Sequence, residues 1–283
     1  MAFNMNRTWS QATALVRANF QLLALIAGVF MLLPGVVIYM AMPDLFSQMT
    51  LAEDPEQISA LLASMAGPLT LFFLITFVLQ MIGYGAMVAL MGDARPTVAE
   101  ALKRGARSLP TLIGSALLVF LVYMILSFVL GLVLVLLTGL VGAVGGQAVT
   151  VMVTFVLLLG LALIVLYVMT RLSLTLAVVV LEGRFNPVTA LIRSWQLTKP
   201  HAWNIFAFYV LLVIAYVVIS VLLMGVLGVI GAAFGQGAGS TFFMGLVNGV
   251  IGALVAMVMS GILVSMHQQL AGRSSSAIGE TFG

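Results

Sequence analysis

At 283 residues the chain is 63% hydrophobic and only 7% charged, with no cysteine and a formal net charge of +3. This composition excludes an ordinary water-soluble domain, and the absence of cysteine excludes disulfides and thiolate chemistry. The expected solvent is therefore a lipid bilayer. The small positive charge fits attraction to anionic lipid head groups and gives no reason to expect a nucleic-acid partner.

Six apolar runs are long enough to cross about 30 Å of hydrocarbon, which takes roughly 20 helical residues. They lie at 20–42, 68–92, 110–142, 148–181, 202–232 and 241–270. The first is not expected to be a signal peptide, because Pro43 and Asp44 follow it where small residues would mark a cleavage site. The third and fourth runs are long enough that they must tilt, break or project beyond the hydrocarbon.

The charged residues predict the orientation of these spans. Every Lys and Arg falls in, or at the margin of, the segments that six spans place on one side, whereas the long loop 43–67 on the other side is acidic. Cytoplasmic segments retain Lys and Arg, so both termini are expected in the cytoplasm. Within the acidic loop, Asp54 followed by Pro55 predicts the start of a short helix at the outer surface.

A polar nine-residue motif occurs three times, each time ahead of a pair of spans. The copies are "SQATALVRA" at 10–18, "TVAEALKRG" at 97–105 and "NPVTALIRS" at 186–194. Their shared features are a capping residue (Ser10, Thr97, Asn186), an Ala-Leu pair, and an Arg followed by a small residue. A second triplet, Arg95, Arg184 and Arg273, repeats at intervals of 89 residues. The chain therefore carries an internal repeat.

The repeat predicts a specific all-α architecture. Each unit is expected to be an amphipathic helix in the head-group plane followed by a transmembrane hairpin, over residues 10–93, 97–182 and 186–271. Residues 1–283 then form one transmembrane domain, a six-helix bundle with a cytoplasmic tail at 272–283. Because every unit begins and ends on the same side, the units should be related by a pseudo-threefold axis along the membrane normal.

Arg171 is the first candidate for a functional residue. The repeat register puts it about three turns inside the cytoplasmic end of the fourth span, where an ionisable side chain is costly. One reading is that Arg171 and the third interfacial helix bind an anionic head group. The other is structural, with Arg171 snorkelling to phosphate or pairing with Glu182 or with a helix C-terminus. The full set of lipid or anion-binding candidates is Arg171, Arg193, Lys199, Arg104, Arg107, Trp195 and Trp203.

No enzymatic motif is found. Intramembrane protease motifs, H-E-x-x-H, the phosphate-binding loop and G-x-S-x-G are all absent, and general acids and bases are scarce. His201 and His267 have no metal-ligand spacing. The sequence therefore predicts a protein that is not an enzyme, with no metal and no cofactor.

The stretch from Tyr167 to Asn204 carries a family resemblance. The residues responsible are Arg171, Glu182, Gly183, Ala190, Ser194, Trp195, Leu197 and Thr198. It resembles bacterial inner-membrane proteins of the glycerophosphoryl diester phosphodiesterase membrane-domain family. In fused members of that family the hydrolase is a separate barrel domain, and we expect none here. The resemblance implies an inner-membrane location and a lipid-related context, without the enzymatic activity.

These observations predict a non-enzymatic, multi-pass protein of a bacterial inner membrane that binds or moves a lipid, amphiphile or peptide, or supports membrane integrity. A ligand-free scaffold or accessory subunit is the alternative, and a small-molecule transporter is the third. The expected partners are membrane phospholipids, with other membrane proteins as a further class. A sealed apolar interior would favour a scaffold, and a cavity open to lipid would favour lipid handling.

Overall fold

The computed structural model describes residues 3–41, 54–92, 96–233 and 238–281, which are helical apart from short connections and contain no strand. The α-helices are α1 (Met5–Ala18), α2 (Phe20–Ala27), α3 (Leu33–Ala41), α4 (Pro55–Ser64), α5 (Ala66–Leu90), α6 (Val98–Leu172), α7 (Thr175–Glu182), α8 (Pro187–Thr198), α9 (Ala202–Ala233) and α10 (Ala238–Thr281). A π-helical turn, Gly28–Leu32, joins α2 to α3, and a 3₁₀ turn, Lys199–His201, joins α8 to α9.

Six stretches of these helices are long and apolar enough to cross a membrane, which confirms the predicted number of spans. They are Phe20–Ala41, Ala66–Met91, Val98–Gly139, Ala148–Glu182, Pro187–Leu223 and Gly239–Gly272. The third and fifth begin earlier than the apolar runs, because the polar motif ahead of each is also helical.

Local backbone changes separate the third span from the fourth and interrupt the fourth. Gly146 has φ 72° and ψ 177°, a conformation that suits glycine, and it interrupts α6 between the third and fourth spans. The fourth span is interrupted at Ser173 and Leu174, where α6 ends and α7 begins. This interruption accounts for part of the length by which the fourth span exceeds the hydrocarbon thickness.

The buried residues concentrate at one end of the bundle. We call this the packed end; it comprises α1, α2, the last turns of α5, the first turns of α6, α7, α8, the first turns of α9 and residues 253–272 of α10. Leu23, Met87 and Ala256 lie in one buried cluster, and Leu174 and Met266 lie in a second. Beyond the packed end the helices expose apolar side chains, as a surface solvated by lipid does. Examples are Leu117, Phe128, Phe155 and Met169, each more than half exposed.

Glycines allow the helices to approach closely. A Cβ built on Gly105 of α6 would lie 2.5 Å from the carbonyl oxygen of Ile82 in α5, so these two backbones are nearly in contact. A Cβ on Gly249 of α10 would lie 2.7 Å from the Leu32 carbonyl oxygen, and Gly245 lies against Val36. The G-x-x-x-G pair of α10 therefore forms a helix contact of the kind common in membranes.

The first and last helices are joined by hydrogen bonds. Ser265 of α10 donates to the carbonyl oxygen of Thr8 at 3.1 Å, and the side-chain amide of Gln269 donates to the Thr8 hydroxyl at 3.1 Å. Both side chains also donate to Gln11. Helix α1 is therefore held on the last span by buried polar contacts.

The three polar motifs do not begin alike. Ser10 is not a cap: α1 begins five residues earlier, where the Asn4 side chain accepts from the Arg7 amide at 3.0 Å. Thr97 caps α6 in a capping box with Glu100, but that helix runs on into the third span and forms no separate interfacial helix. Asn186 caps α8 as predicted, accepting from two amides.

The predicted outer helix exists as α4, with Pro55 in its first turn and Asp54 at the N-cap, although the Asp54 side chain makes no capping bond. Leu61 and Met65 pack on Leu69 at the start of α5. Asp44, Glu53, Arg95 and the side chain of Arg273 lie outside the described residues.

Candidate functional site

The connection between α7 and α8 is fixed in place on α6. Gly183 ends α7 in the left-handed conformation, with φ 67°, which turns the chain sharply. The Thr111 hydroxyl donates to the carbonyl oxygen of Phe185 at 2.7 Å. Pro187, the first residue of α8, lies against Gly114, where a Cβ would come within 2.8 Å of the proline ring. The turn is therefore an ordered part of the packed end.

Helix α8 presents small residues to the protein and large apolar residues outward. Ala190, Ser194 and Thr198 are fully buried, whereas Val188 and Ile192 are about half exposed. Both buried hydroxyls donate to the main-chain carbonyl oxygen of Arg171, at 3.0 and 3.1 Å. This carbonyl lies where the fourth span breaks, so the side chains of α8 satisfy an acceptor at the end of a helix.

The side chain of Arg171 is buried beneath α8, with 2% of the residue exposed. Its guanidinium carbon lies 4.3 Å from the ring centroid of Trp195 and 6.0 Å from that of Tyr167. Nε and Nη1 are buried and have no hydrogen-bond partner among the described residues. The predicted alternative, an ion pair between Arg171 and Glu182, is not found among the described residues; Glu182 is paired with other cations.

Aromatic rings extend from Arg171 to the surface of the bundle. The Tyr167 ring lies 5.7 Å from that of Trp203, and Trp203 lies 5.9 Å from Phe206. Trp203 is 72% exposed and Trp195 is 38% exposed. Both tryptophan candidates are therefore connected to Arg171, one directly and one through Tyr167, whereas Lys199 is exposed in the 3₁₀ turn between α8 and α9.

Glu182 is the centre of an ion-pair network that joins three helices. It accepts from Arg184 at 2.8 Å, from Arg193 of α8 at 3.2 Å, and lies 3.1 Å from Nε2 of His267 in α10. Arg193 was expected to act with Arg171, but its guanidinium has this carboxylate as a partner within the protein. A partly buried network of this kind holds α7, α8 and α10 together.

Arg104 and Arg107 line a separate cleft beside the α7–α8 turn. Its volume is about 290 Å³, and its walls include Glu182, Gly183 and Phe185. The guanidinium carbon of Arg107 lies 4.9 Å from the Phe185 ring centroid. Sequence reasoning singled out both arginines but did not predict the cleft.

Several residues of the site were not predicted as its members. They are Tyr167, Phe185, Ser194, Thr198 and His267. Ser194 and Thr198 form an i, i+4, i+8 stripe with Ala190, which is a usable signal for a close helix contact. The other three gave no such signal, because their roles depend on segments distant in the chain. Among the described residues, no group of three or more His, Asp and Glu side chains could hold a metal ion.

Comparison with protein families gave a match that covers most residues of this site. Residues 146–273 match the family described as the membrane domain of glycerophosphoryl diester phosphodiesterase. The resemblance predicted from Tyr167 to Asn204 is thereby confirmed. The membrane-domain match takes in the last three spans, Arg171, the Glu182 network and α8, whereas Arg104 and Arg107 precede it. Comparisons with curated proteins and with solved structures gave no match.

Proposed function

We propose that this chain is a non-enzymatic domain of a bacterial inner membrane that binds an anionic phospholipid at its packed end, with that end and both termini in the cytoplasm. The observation that carries the proposal is the guanidinium of Arg171, which is buried with two N–H-bearing nitrogens lacking a protein acceptor. Burying a charged donor without a hydrogen-bond partner costs on the order of several kcal/mol. A bound anion would supply the missing acceptor and offset that cost.

The surrounding side chains suit the head group of an amphiphile. Trp195 covers the guanidinium yet is partly exposed, so rotation of its indole gives an anion access to Arg171. Trp203 lies beyond Tyr167 at the outer edge of the same aromatic set, where an interfacial tryptophan is favourable. Next to this set, α9 exposes Leu211 and Ile214 to lipid, which provides a surface for acyl chains.

The three-repeat architecture belongs to this proposal, and two contacts support it. Ile82 and Arg171 are 89 residues apart, as are Gly105 and Ser194. The Ile82 carbonyl lies against Gly105, and the Arg171 carbonyl accepts from Ser194. Equivalent positions therefore meet where the first unit contacts the second and where the second contacts the third, at the spacing of the sequence repeat.

The experiment that tests the lipid site compares retained phospholipid among matched variants. Wild type, Arg171→Gln, Arg171→Lys and Arg193→Gln would be purified in a mild non-ionic detergent and analysed by native mass spectrometry. Arg17→Gln is the control, because Arg17 is an exposed arginine of α1, a helix that supplies no residue of the site. We expect Arg171→Gln to lose most anionic lipid and Arg171→Lys to retain part of it, since lysine keeps the charge without the guanidinium fork.

Arg193→Gln separates a lipid site from a purely structural network. If Arg193 serves mainly Glu182, its loss should lower stability more than lipid content. Equal retention of anionic lipid by Arg171→Gln and wild type, both folded by circular dichroism, would contradict the proposal. It would favour the alternative of a ligand-free scaffold, for which the Glu182 network among three helices is the supporting observation.

A further inference from the structure

The cleft beside the α7–α8 turn has the character of a second anion site, distinct from the one at Arg171. Arg104 and Arg107 are three residues apart on α6, so they lie on the same side of the helix. Among the described residues neither guanidinium has a carboxylate within salt-bridge distance. We infer that this cleft binds a phosphate-bearing anion between the two arginines.

The cleft is ordered before any ligand enters it. The Phe185 ring lies 4.9 Å from the guanidinium carbon of Arg107, which restricts that side chain. The carbonyl of Phe185 is in turn fixed by the hydroxyl of Thr111, and Gly183 sets the turn through its positive φ. Because these groups are already in place, binding has a smaller ordering cost to overcome.

The charge balance in the cleft favours an anion. Among the described residues that line the cleft, Glu182 is the one acidic side chain. Its carboxylate is already engaged by Arg184, Arg193 and His267. Arg104 lies within electrostatic reach of Glu100, one turn earlier on α6, whereas Arg107 forms no ion pair among the described residues, so the cleft keeps a net positive charge.

The geometry favours phosphate over a carboxylate. Two guanidinium groups present more donors than the two oxygens of one carboxylate can accept, whereas phosphate has three or four oxygens and pairs well with the guanidinium fork. The volume of about 290 Å³ corresponds to roughly ten water molecules. It fits a phosphate with a short polar substituent, so an acyl chain would have to leave the cleft.

The first experiment measures inorganic phosphate binding to the full chain in detergent. Phosphate would be added in place of chloride so that the ionic strength stays constant, and its binding would be followed by the ³¹P line width. We expect saturable binding in wild type and about a tenfold or greater rise in Kd for Arg104→Gln combined with Arg107→Gln, from the usual strength of charge-assisted hydrogen bonds. The matched control is Arg17→Gln with Arg7→Gln, which removes two exposed charges of α1.

A second variant guards against a folding defect in the arginine double variant. Phe185→Leu keeps both charges and removes the ring that restricts Arg107, so we expect weaker phosphate binding at unchanged thermal stability. If wild type does not bind phosphate saturably, or if the double arginine variant binds it as tightly as wild type does, the inference is wrong.

The source of the phosphate is distinguished by repeating the titration in lipid nanodiscs. One set contains only phosphatidylcholine and the other adds one-fifth phosphatidylglycerol. Loss of inorganic phosphate binding in the anionic set identifies a lipid head group as the occupant, and its persistence in both identifies a soluble phosphate compound. Because Arg171 is intact in every one of these variants, the result is independent of the lipid site proposed above.

Discussion

Replacing Gly105 by alanine should destabilise the protein, although alanine is the better helix former. A Cβ at this position would lie 2.5 Å from the Ile82 carbonyl oxygen and 3.0 Å from the Ala86 amide nitrogen. Both atoms belong to the main chain of α5, so neither can rotate out of the way. Helices α5 and α6 would have to move apart where Ala86 and Ala101 are completely buried.

The expected magnitude follows from two opposing effects. Alanine gains about 1 kcal/mol over glycine in intrinsic helix propensity. Forcing an additional carbon into a packed contact costs typically about 1–3 kcal/mol, and main-chain atoms on the opposing side place this case toward the upper part of that range. We therefore expect Gly105→Ala to lower the free energy of unfolding by about 1–2 kcal/mol.

The assay is unfolding by sodium dodecyl sulfate in mixed micelles, followed by circular dichroism. The matched control is Gly160→Ala, because a Cβ at Gly160 would meet no atom within 4 Å. This control should be neutral or slightly stabilising, since only propensity changes. If Gly105→Ala is as stable as the control, the close crossing of α5 and α6 is not a determinant of stability and the reasoning fails.

Two further predictions concern the break in the fourth span and the orientation of the chain. Ser194→Ala combined with Thr198→Val removes both hydroxyl donors from the Arg171 carbonyl. Because a buried acceptor is then unsatisfied, we expect the free energy of unfolding to fall by about 1–3 kcal/mol in the same assay. A loss no larger than that caused by Ser59→Ala, at an exposed serine, would count against this role. Because the chain has no cysteine, single cysteines can be introduced and labelled one at a time. Cysteines at Ser10 and Lys199 should be labelled from the cytoplasm and one at Gly146 from the opposite side. Reversal of either result would overturn the proposed topology.

The sequence alone was sufficient for the helical class, the six spans and the starts of α4, α6 and α8. Apolar runs of this length have few alternatives in a bilayer, where each backbone polar group must be bonded within its own helix. The start of α8 could be read from Asn186 and Pro187, and the start of α6 from Thr97 and Glu100, because capping is a local property. Ser10 misled for the same reason: a capping residue type also occurs within helices, and Asn4 occupies the cap.

Tertiary structure decided which candidate side chains meet. Arg171 contacts Trp195 directly and is connected to Trp203 through Tyr167. Arg193 and His267 instead pair with Glu182. Local periodicity determines which face of a helix is apolar, but it does not determine which neighbour that face meets. The neighbour depends on residues that are distant in sequence, such as Glu182 and His267. The break at Ser173 and Leu174 sets where the Arg171 carbonyl lies. The packing of α8 against that carbonyl explains why its small, hydroxyl-bearing stripe is buried while Val188 and Ile192 are exposed.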